Sequence, residues 1–175
     1  MLKKQVIILN FKLSGIILVL FAGAFCTYDV KMTFDKRIKI LKIFYDDLNF
    51  IISKISYFKI PVNHIVKELM EREKNDLSEF YNHLYDFYLH KDEKSFKQNF
   101  LGLRLNLSKS DSEFLYEMFL KLGSYDYENE INNLNNHKER LGNIIEKAQI
   151  NKQKNQKTKC TLTMCSFILI IIFFI

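Results

Sequence analysis

The sequence predicts an all-α protein, a helical bundle of about six helices flanked by N-terminal and C-terminal transmembrane helices. Apolar residues recur at intervals of three and four along nearly the whole chain, which is the period of a helix. One proline and five glycines in 175 residues are too few for a turn-rich sheet protein. Both ends of the chain are apolar, and basic residues lie beside each of them.

The charges are segregated along the chain. Residues 1–42 contain eight Lys/Arg against two Asp/Glu, residues 138–175 contain seven against two, and residues 43–137 contain eleven against sixteen. Positive charge gathers on the cytoplasmic side of membrane spans, because it translocates poorly and anionic headgroups attract it. Since both basic stretches lie between the apolar ends, we expect both ends to cross and the middle to be cytoplasmic. Headgroups account for the basic residues, so we expect no nucleic-acid partner.

Three segments follow from this pattern. Residues 1–27 are predicted as the N-terminal transmembrane helix, 28–159 as the cytoplasmic α-helical bundle and 160–175 as the C-terminal transmembrane helix. The last segment has sixteen residues, about 24 Å as a helix, so it needs a thin or compressed bilayer.

The N-terminal segment has an alternative interpretation. Val6 to Cys26 has roughly the 20 residues that a span needs, but Lys12 lies inside it. The uninterrupted core from Leu13 to Cys26 also fits the apolar region of a signal peptide, with Ala22-Gly-Ala24 as a cleavage site. Cleavage would export the middle domain.

Helix boundaries follow from the apolar period and from capping residues. The first long helix should continue from the membrane segment and end before Pro61, which should start the second helix. Asp76 with Glu79 should cap the third helix, and Ser110 to Glu113 should cap the fifth, which stops at Gly123. The fourth is expected over 92–106 and the sixth from about Asp126 to Lys159, with a heptad that Lys138 interrupts. The two long helices return to one membrane surface, so they should run antiparallel.

The search for catalytic or metal chemistry is negative. The sequence has no phosphate-binding glycine loop, no zinc-like cysteine pairing and no nucleophile elbow, which argues against an enzyme. His83, Asp86 and His90 share one helix face, but two turns, about 10.5 Å, separate the histidines, too far for one ion. We therefore expect no metal and no cofactor. The three cysteines lie in or beside the apolar ends, where they are interpreted as small apolar residues (Cys26, Cys160 and Cys165).

Three acidic clusters are interpreted as solvated helix faces, with docking of a basic partner as the alternative. They are Asp46-Asp47, the set Glu68, Glu71 and Glu73, and the set Asp126, Glu128 and Glu130.

The chain resembles the stage III sporulation protein AB family of endospore-forming bacteria. The resemblance rests on the opening Met1-Leu-Lys, on the segment Lys54-Ile-Ser-Tyr-Phe-Lys-Ile-Pro-Val62, on Leu107 to Leu115 and on Leu122-Gly-Ser-Tyr-Asp126. Lys54 stands where the family has an acid. The segment Thr161 to Ser166 lacks the family's glycines, so helix packing in the membrane is expected to differ.

The resemblance implies a non-enzymatic platform component of the secretion-like channel that connects mother cell and forespore, needed after engulfment. It places the protein in the mother-cell membrane facing the forespore, with other stage III channel proteins, a separate cytoplasmic ATPase and a possible homo-oligomer as partners. Family members are similar to the cytoplasmic domain of the inner-membrane platform protein of type II secretion and type IV pilus machines. The alternative is a membrane-anchored helical sensor or an extracytoplasmic interaction domain. Candidate docking residues are Tyr57, Pro61, Glu68, Glu71 and Glu73.

Overall fold

The computed structural model describes the backbone of residues 2–72 and 77–174. It describes the side chains of residues 32–72 and of 77–170 except 156 and 159. Outside these ranges it also describes the side chains of residues 15, 19, 21–25, 28 and 172. This part of the chain is all-α, as predicted. Its helices are α1 Leu2–Phe58, α2 Val62–Arg72, α3 Ser78–His90, α4 Glu93–Gly102, α5 Lys109–Lys121 and α6 Tyr127–Phe174.

The chain divides into two compact units. Residues 36–147 form one, here called the central bundle, and residues 1–35 with 148–175 form the other, here called the terminal unit. The predicted boundaries after residues 27 and 159 concern membrane attachment rather than compactness, and they stay predictions.

The core of the central bundle is built around aromatic rings. Phe44, Phe80 and Phe119 are fully buried, and their ring centroids lie 5.1, 5.7 and 4.9 Å apart pairwise. Such edge-to-face and tilted pairs contribute about 0.5–1.5 kcal/mol each beyond the burial of their area. Phe100 of α4 joins this cluster at 5.6 Å from Phe80. Helices α1, α3, α4 and α5 therefore share one aromatic core.

The predicted heptad of α6 faces inward. Its buried members are Leu134, Leu141, Ile145 and Ala148. A Cβ atom placed on Gly142 would lie 3.7 Å from the Tyr45 ring, which places α6 in van der Waals contact with α1 within the central bundle.

The apolar ends pack against each other in the terminal unit. Gly23 of α1 is buried, and a Cβ atom there would lie 2.8 Å from Cδ2 of Phe167 in α6. Lys152 of α6 donates to the Asp35 carboxylate of α1. Within the terminal unit the two helices therefore lie side by side both at the Lys152–Asp35 ion pair and at the apolar contact between Gly23 and Phe167.

The membrane-spanning part of the predicted fold class is not supported. Within residues 2–72 and 77–174, no helix offers a stretch that is both long and apolar enough to cross a membrane.

Two predicted helix boundaries need correction. The cap of α5 is Ser108 rather than Ser110: its Oγ accepts from the Asp111 N–H at 3.2 Å, and the Asp111 carboxylate accepts from the Ser108 N–H at 3.2 Å. Helix α4 ends at Gly102 rather than at 106. Asp76 lies outside the described residues; Leu77 stands at the start of α3 without a side-chain cap.

Candidate docking site at one end of the central bundle

The connections α1–α2, α3–α4 and α5–α6 meet at one end of the central bundle, here called the tip. The tip consists of Tyr57, Phe58, Lys59, Pro61, Lys91, Tyr125 and Tyr127. A cleft of about 530 Å³ lies between these connections, with Ile55, Ile60, Val62 and Tyr88 among its lining residues.

Helix α1 ends in a turn that exposes two consecutive aromatic side chains. Lys59 follows the last helical residue with φ of +51°, and its N–H donates to the Ile55 carbonyl at 3.1 Å. Pro61 is exposed and begins the next helix, since its carbonyl accepts from the His64 and Ile65 N–H groups at 3.0 and 3.3 Å. Tyr57 and Phe58 remain 83% and 68% exposed.

The turn is fixed to the α5–α6 connection. The Tyr127 hydroxyl donates to the Ser56 carbonyl at 2.7 Å. Gly123 adopts φ of +79°, and a Cβ atom there would lie 3.1 Å from Cγ2 of Val62. Glycine is therefore required both for the backbone conformation and for the close approach. The predicted stop of α5 at Gly123 is confirmed.

A buried carboxylate organises the α5–α6 connection. Glu130 accepts from the Gly123 N–H at 2.9 Å and from the Tyr125 N–H at 3.3 Å. The Tyr88 hydroxyl donates to the Leu122 carbonyl at 2.5 Å. Burial, and then the charge of Glu130, raise the pKa of Tyr88 well above its ordinary value, so this hydroxyl stays a donor. The interpretation of Glu130 as part of a solvated acidic face was wrong.

The predicted docking residues have different surroundings. Tyr57 and Pro61 are exposed at the tip. Glu68 accepts from the Lys54 ammonium at 2.8 Å, whereas Glu71 is exposed. Glu73 lies outside the described residues.

Lys54 is engaged on two sides. Besides Glu68, its ammonium lies 5.0 Å from the Phe50 ring centroid and 5.8 Å from that of Phe58. The Lys54 ammonium is therefore paired with Glu68, and it also lies within cation–π distance of the exposed Phe58.

Two lysines that line the cleft have backbone conformations with positive φ. Lys59 and Lys91 have φ of +51° and +57°, and both are exposed. Their ammonium groups lie over rings of the same end, Lys59 at 5.6 Å from the Tyr127 centroid and Lys91 at 4.7 Å from that of Tyr88. Neither lysine was predicted from the sequence, because a lysine outside any apolar period carries no signal of its backbone conformation.

The histidines of α3 line a different cleft. Nδ1 of His90 lies 3.1 Å from the Asp86 carbonyl, and Nδ1 of His83 lies 3.4 Å from Nδ2 of Asn99. In the part of the chain that the structure describes, no three His, Cys, Asp or Glu side chains are placed to hold a metal ion together.

The comparisons with known proteins identify a family over most of the chain. Neither the curated proteins nor the solved structures contain a match. The family model for stage III sporulation protein AB matches residues 12–175, which includes every helix of the central bundle and the whole tip. The chain therefore belongs to the stage III sporulation protein AB family, which supports a role in stage III of sporulation.

Proposed function

We propose that this protein is a non-enzymatic platform component of the channel between mother cell and forespore. In this proposal the terminal unit attaches the protein to the mother-cell membrane, and the tip of the central bundle docks a partner, the cytoplasmic ATPase of the channel. The long helices α1 and α6 then carry mechanical load between the ATPase and the membrane.

The observation that carries the docking role is the exposure of Tyr57 and Phe58 at a braced turn. Adjacent aromatic side chains at 83% and 68% exposure are unusual on a bundle whose core is built from buried aromatic rings. Hydrogen bonds to the α1 end hold this surface in place before binding. A preformed aromatic surface loses little conformational entropy when a partner covers it.

Membrane attachment is supported by the composition of the ends. Large apolar side chains of the terminal unit are exposed, among them Phe21, Phe25, Leu162, Leu169 and Ile172. Contact with lipid would cover them, and the basic residues beside each end would meet anionic headgroups.

Complementation of a gene deletion tests the function. Cells without the gene should finish engulfment and then arrest, and wild-type protein should restore heat-resistant spores. The Tyr57→Ala/Phe58→Ala variant should restore few spores while accumulating normally. Leu101→Ala, which removes an apolar side chain of 57% exposure elsewhere on the bundle, should restore them fully. Normal spores from the deletion strain would refute the proposal.

The acidic set needs a modified test. Reversing Glu68 would also break its ion pair with Lys54, so Glu71→Lys is the cleaner probe of docking by acidic residues. Loss of ATPase binding in this variant would assign the docking to α2 rather than to the aromatic tip.

A further inference from the structure

The cleft at the tip combines apolar walls with exposed cations. Ile55 is buried, and Ile60 and Val62 are half-buried along its wall. Lys59 and Lys91 line the same cleft with exposed side chains. Glu130 also lines it, but its buried carboxylate accepts two backbone N–H groups. The cleft therefore offers an occupant apolar contact and two accessible positive charges.

The backbone at the two lysines is unfavourable for the residue type. Each follows a helix end in the left-handed region, where glycine is the usual residue because it has no Cβ penalty. A non-glycine residue there carries a free-energy cost. A cation near a helix C-terminus recovers part of this cost by interacting with the helix dipole. Each ammonium nevertheless lies over a tyrosine ring of the cleft wall.

We infer that the tip cleft binds an acidic segment of a partner protein that inserts an aromatic or aliphatic side chain between Lys59 and Lys91. The inference rests on the proposed docking role and specifies the chemistry of the partner. Charge complementarity determines the charge of the partner segment. Because the accessible charges of the cleft are positive, carboxylates are attracted to it and basic segments are repelled. The apolar wall accommodates the anchoring side chain.

Peptide selection tests this chemistry. Random peptides of about twelve residues, long enough for a segment laid across a groove, are displayed and selected on the full-length chain in neutral detergent. The Lys59→Gly/Lys91→Gly variant is the parallel target. Peptides enriched on the wild type alone should carry clustered Asp and Glu beside Phe, Tyr, Leu or Ile. A basic or uncharged consensus, or no enrichment over the variant, would overturn the inference.

Glycine substitution separates binding from stability. Lys59→Gly and Lys91→Gly relieve the left-handed backbone, so each should keep or raise the melting temperature while weakening the best acidic peptide about tenfold. Asn106→Gly relieves a residue with φ of +54° outside the cleft, and its binding should be unchanged. Lys97→Ala removes an exposed lysine stacked 5.6 Å from the Tyr116 centroid, and it also should bind normally. Equal weakening in these controls would contradict a specific cleft.

Three outcomes separate the failure of the inference from the failure of the proposed function. Concentration-dependent self-association that disappears in the double glycine variant would make a second copy the occupant and refute the inference. Arrest of the deletion strain together with a basic peptide consensus would leave the proposed function standing while the inference fails. Normal spores from the deletion strain would instead defeat the function, whatever the peptides show.

Discussion

At the scale of single residues, three acids are buried among the described residues of the central bundle, and each has a defined structural task. Asp47 accepts from the Tyr81 hydroxyl at 2.5 Å and from Arg72 at 3.2 Å. Asp111 caps α5 and accepts from Arg37 at 2.8 Å. Glu130 holds the α5–α6 connection. A buried carboxylate is stable only when its oxygens are satisfied, so these positions tolerate little change.

Replacement of Asp47 tests this argument. Asp47→Ala leaves the buried Tyr81 hydroxyl without this acceptor and Arg72 without this counter-ion, so we expect a loss of about 2–4 kcal/mol in the free energy of unfolding. Asp46→Ala, at the exposed neighbouring position, should change it by less than about 0.5 kcal/mol. Urea unfolding followed by circular dichroism measures both. Equal effects would show that the burial of Asp47 does not matter.

His137 gives the protein a pH dependence. Its ring lies 5.8 Å from the Phe114 centroid, and burial, followed by the charges of Arg140 and Lys121, lowers its pKa below the ordinary 6.5. The unfolded state then binds the proton more tightly. The resulting stability is present above pH 6.5 and is lost as the pH falls through the lowered pKa.

Melting temperatures between pH 7.5 and 5 should therefore fall less in His137→Gln than in the wild type. His64→Gln changes an exposed histidine and serves as the control, which should follow the wild type. If the melting temperature of His137→Gln fell with pH as steeply as that of the wild type, the acid sensitivity would belong to other groups.

The burial of an acidic residue could not be predicted from the sequence. Asp46 and Asp47 are adjacent and chemically identical, yet one is exposed and the other fully buried. Apolar periodicity cannot distinguish them, because a polar residue on the buried face is determined by its partners Tyr81 and Arg72 on other helices. The same reason explains the error at Glu130.

At the scale of elements, the apolar stripes were predicted well because the 3.6-residue period persists along each helix. The stripe residues of α5 are buried as expected (Phe114, Leu115, Met118 and Phe119). Leu103, three residues after the buried Phe100, is only half-buried, since α4 has ended one residue earlier. Caps were less predictable, because the sequence alone lets Ser108, Ser110 or Ser112 begin α5.

The cap of α5 supplies a matched pair of variants. Ser108→Ala removes the acceptor for the Asp111 N–H, and we expect a loss of about 1 kcal/mol. Ser110→Ala removes a hydroxyl that bonds only to Ser108 Oγ among the contacts described here, at 3.1 Å, so its effect should be smaller. Chemical denaturation compares them, and a larger loss in Ser110→Ala would restore the original prediction of the cap.

Packing of the terminal unit depends on one glycine. A side chain at Gly23 would collide with Phe167, whereas a Cβ atom at Gly15 would have, apart from its chain neighbours and its own turn of helix, no atom of the described residues within 4 Å. Gly23→Leu should therefore destabilise the unit by about 1–3 kcal/mol through overpacking. Gly15→Leu adds the same apolar surface but should not destabilise the unit. Thermal unfolding of the full chain in neutral detergent measures the difference, and equal melting temperatures would refute side-by-side packing at Gly23.

At the scale of the whole molecule, the central bundle should be independently stable. Residues 36–147 form a compact unit that contains the aromatic core and the ion pairs of the buried Asp47 and Asp111. Expressed alone, this segment should be soluble and predominantly helical, and a chelator should leave its melting temperature unchanged. A fall in melting temperature with chelator would revive His83, Asp86 and His90 as metal ligands.

The proposed membrane orientation is a prediction from the charge distribution. Fifteen of the 26 Lys/Arg lie in residues 1–42 and 138–175, between or within the apolar ends, and positive charge resists translocation. A variant without Cys26, Cys160 and Cys165 provides the background for Val30→Cys and Tyr125→Cys. Both positions should resist a membrane-impermeant thiol reagent in intact cells and react after lysis.

Leu2→Cys in the same background is the matched control, because a crossing N-terminal segment places it outside, where it should react in intact cells. Labelling of positions 30 and 125 in intact cells would reverse the orientation and favour the exported interaction domain. The tip would then face away from any cytoplasmic ATPase, so this measurement constrains the docking role as well as the topology. Protection at both positions, with labelling at position 2, leaves the tip where a cytoplasmic partner can reach it.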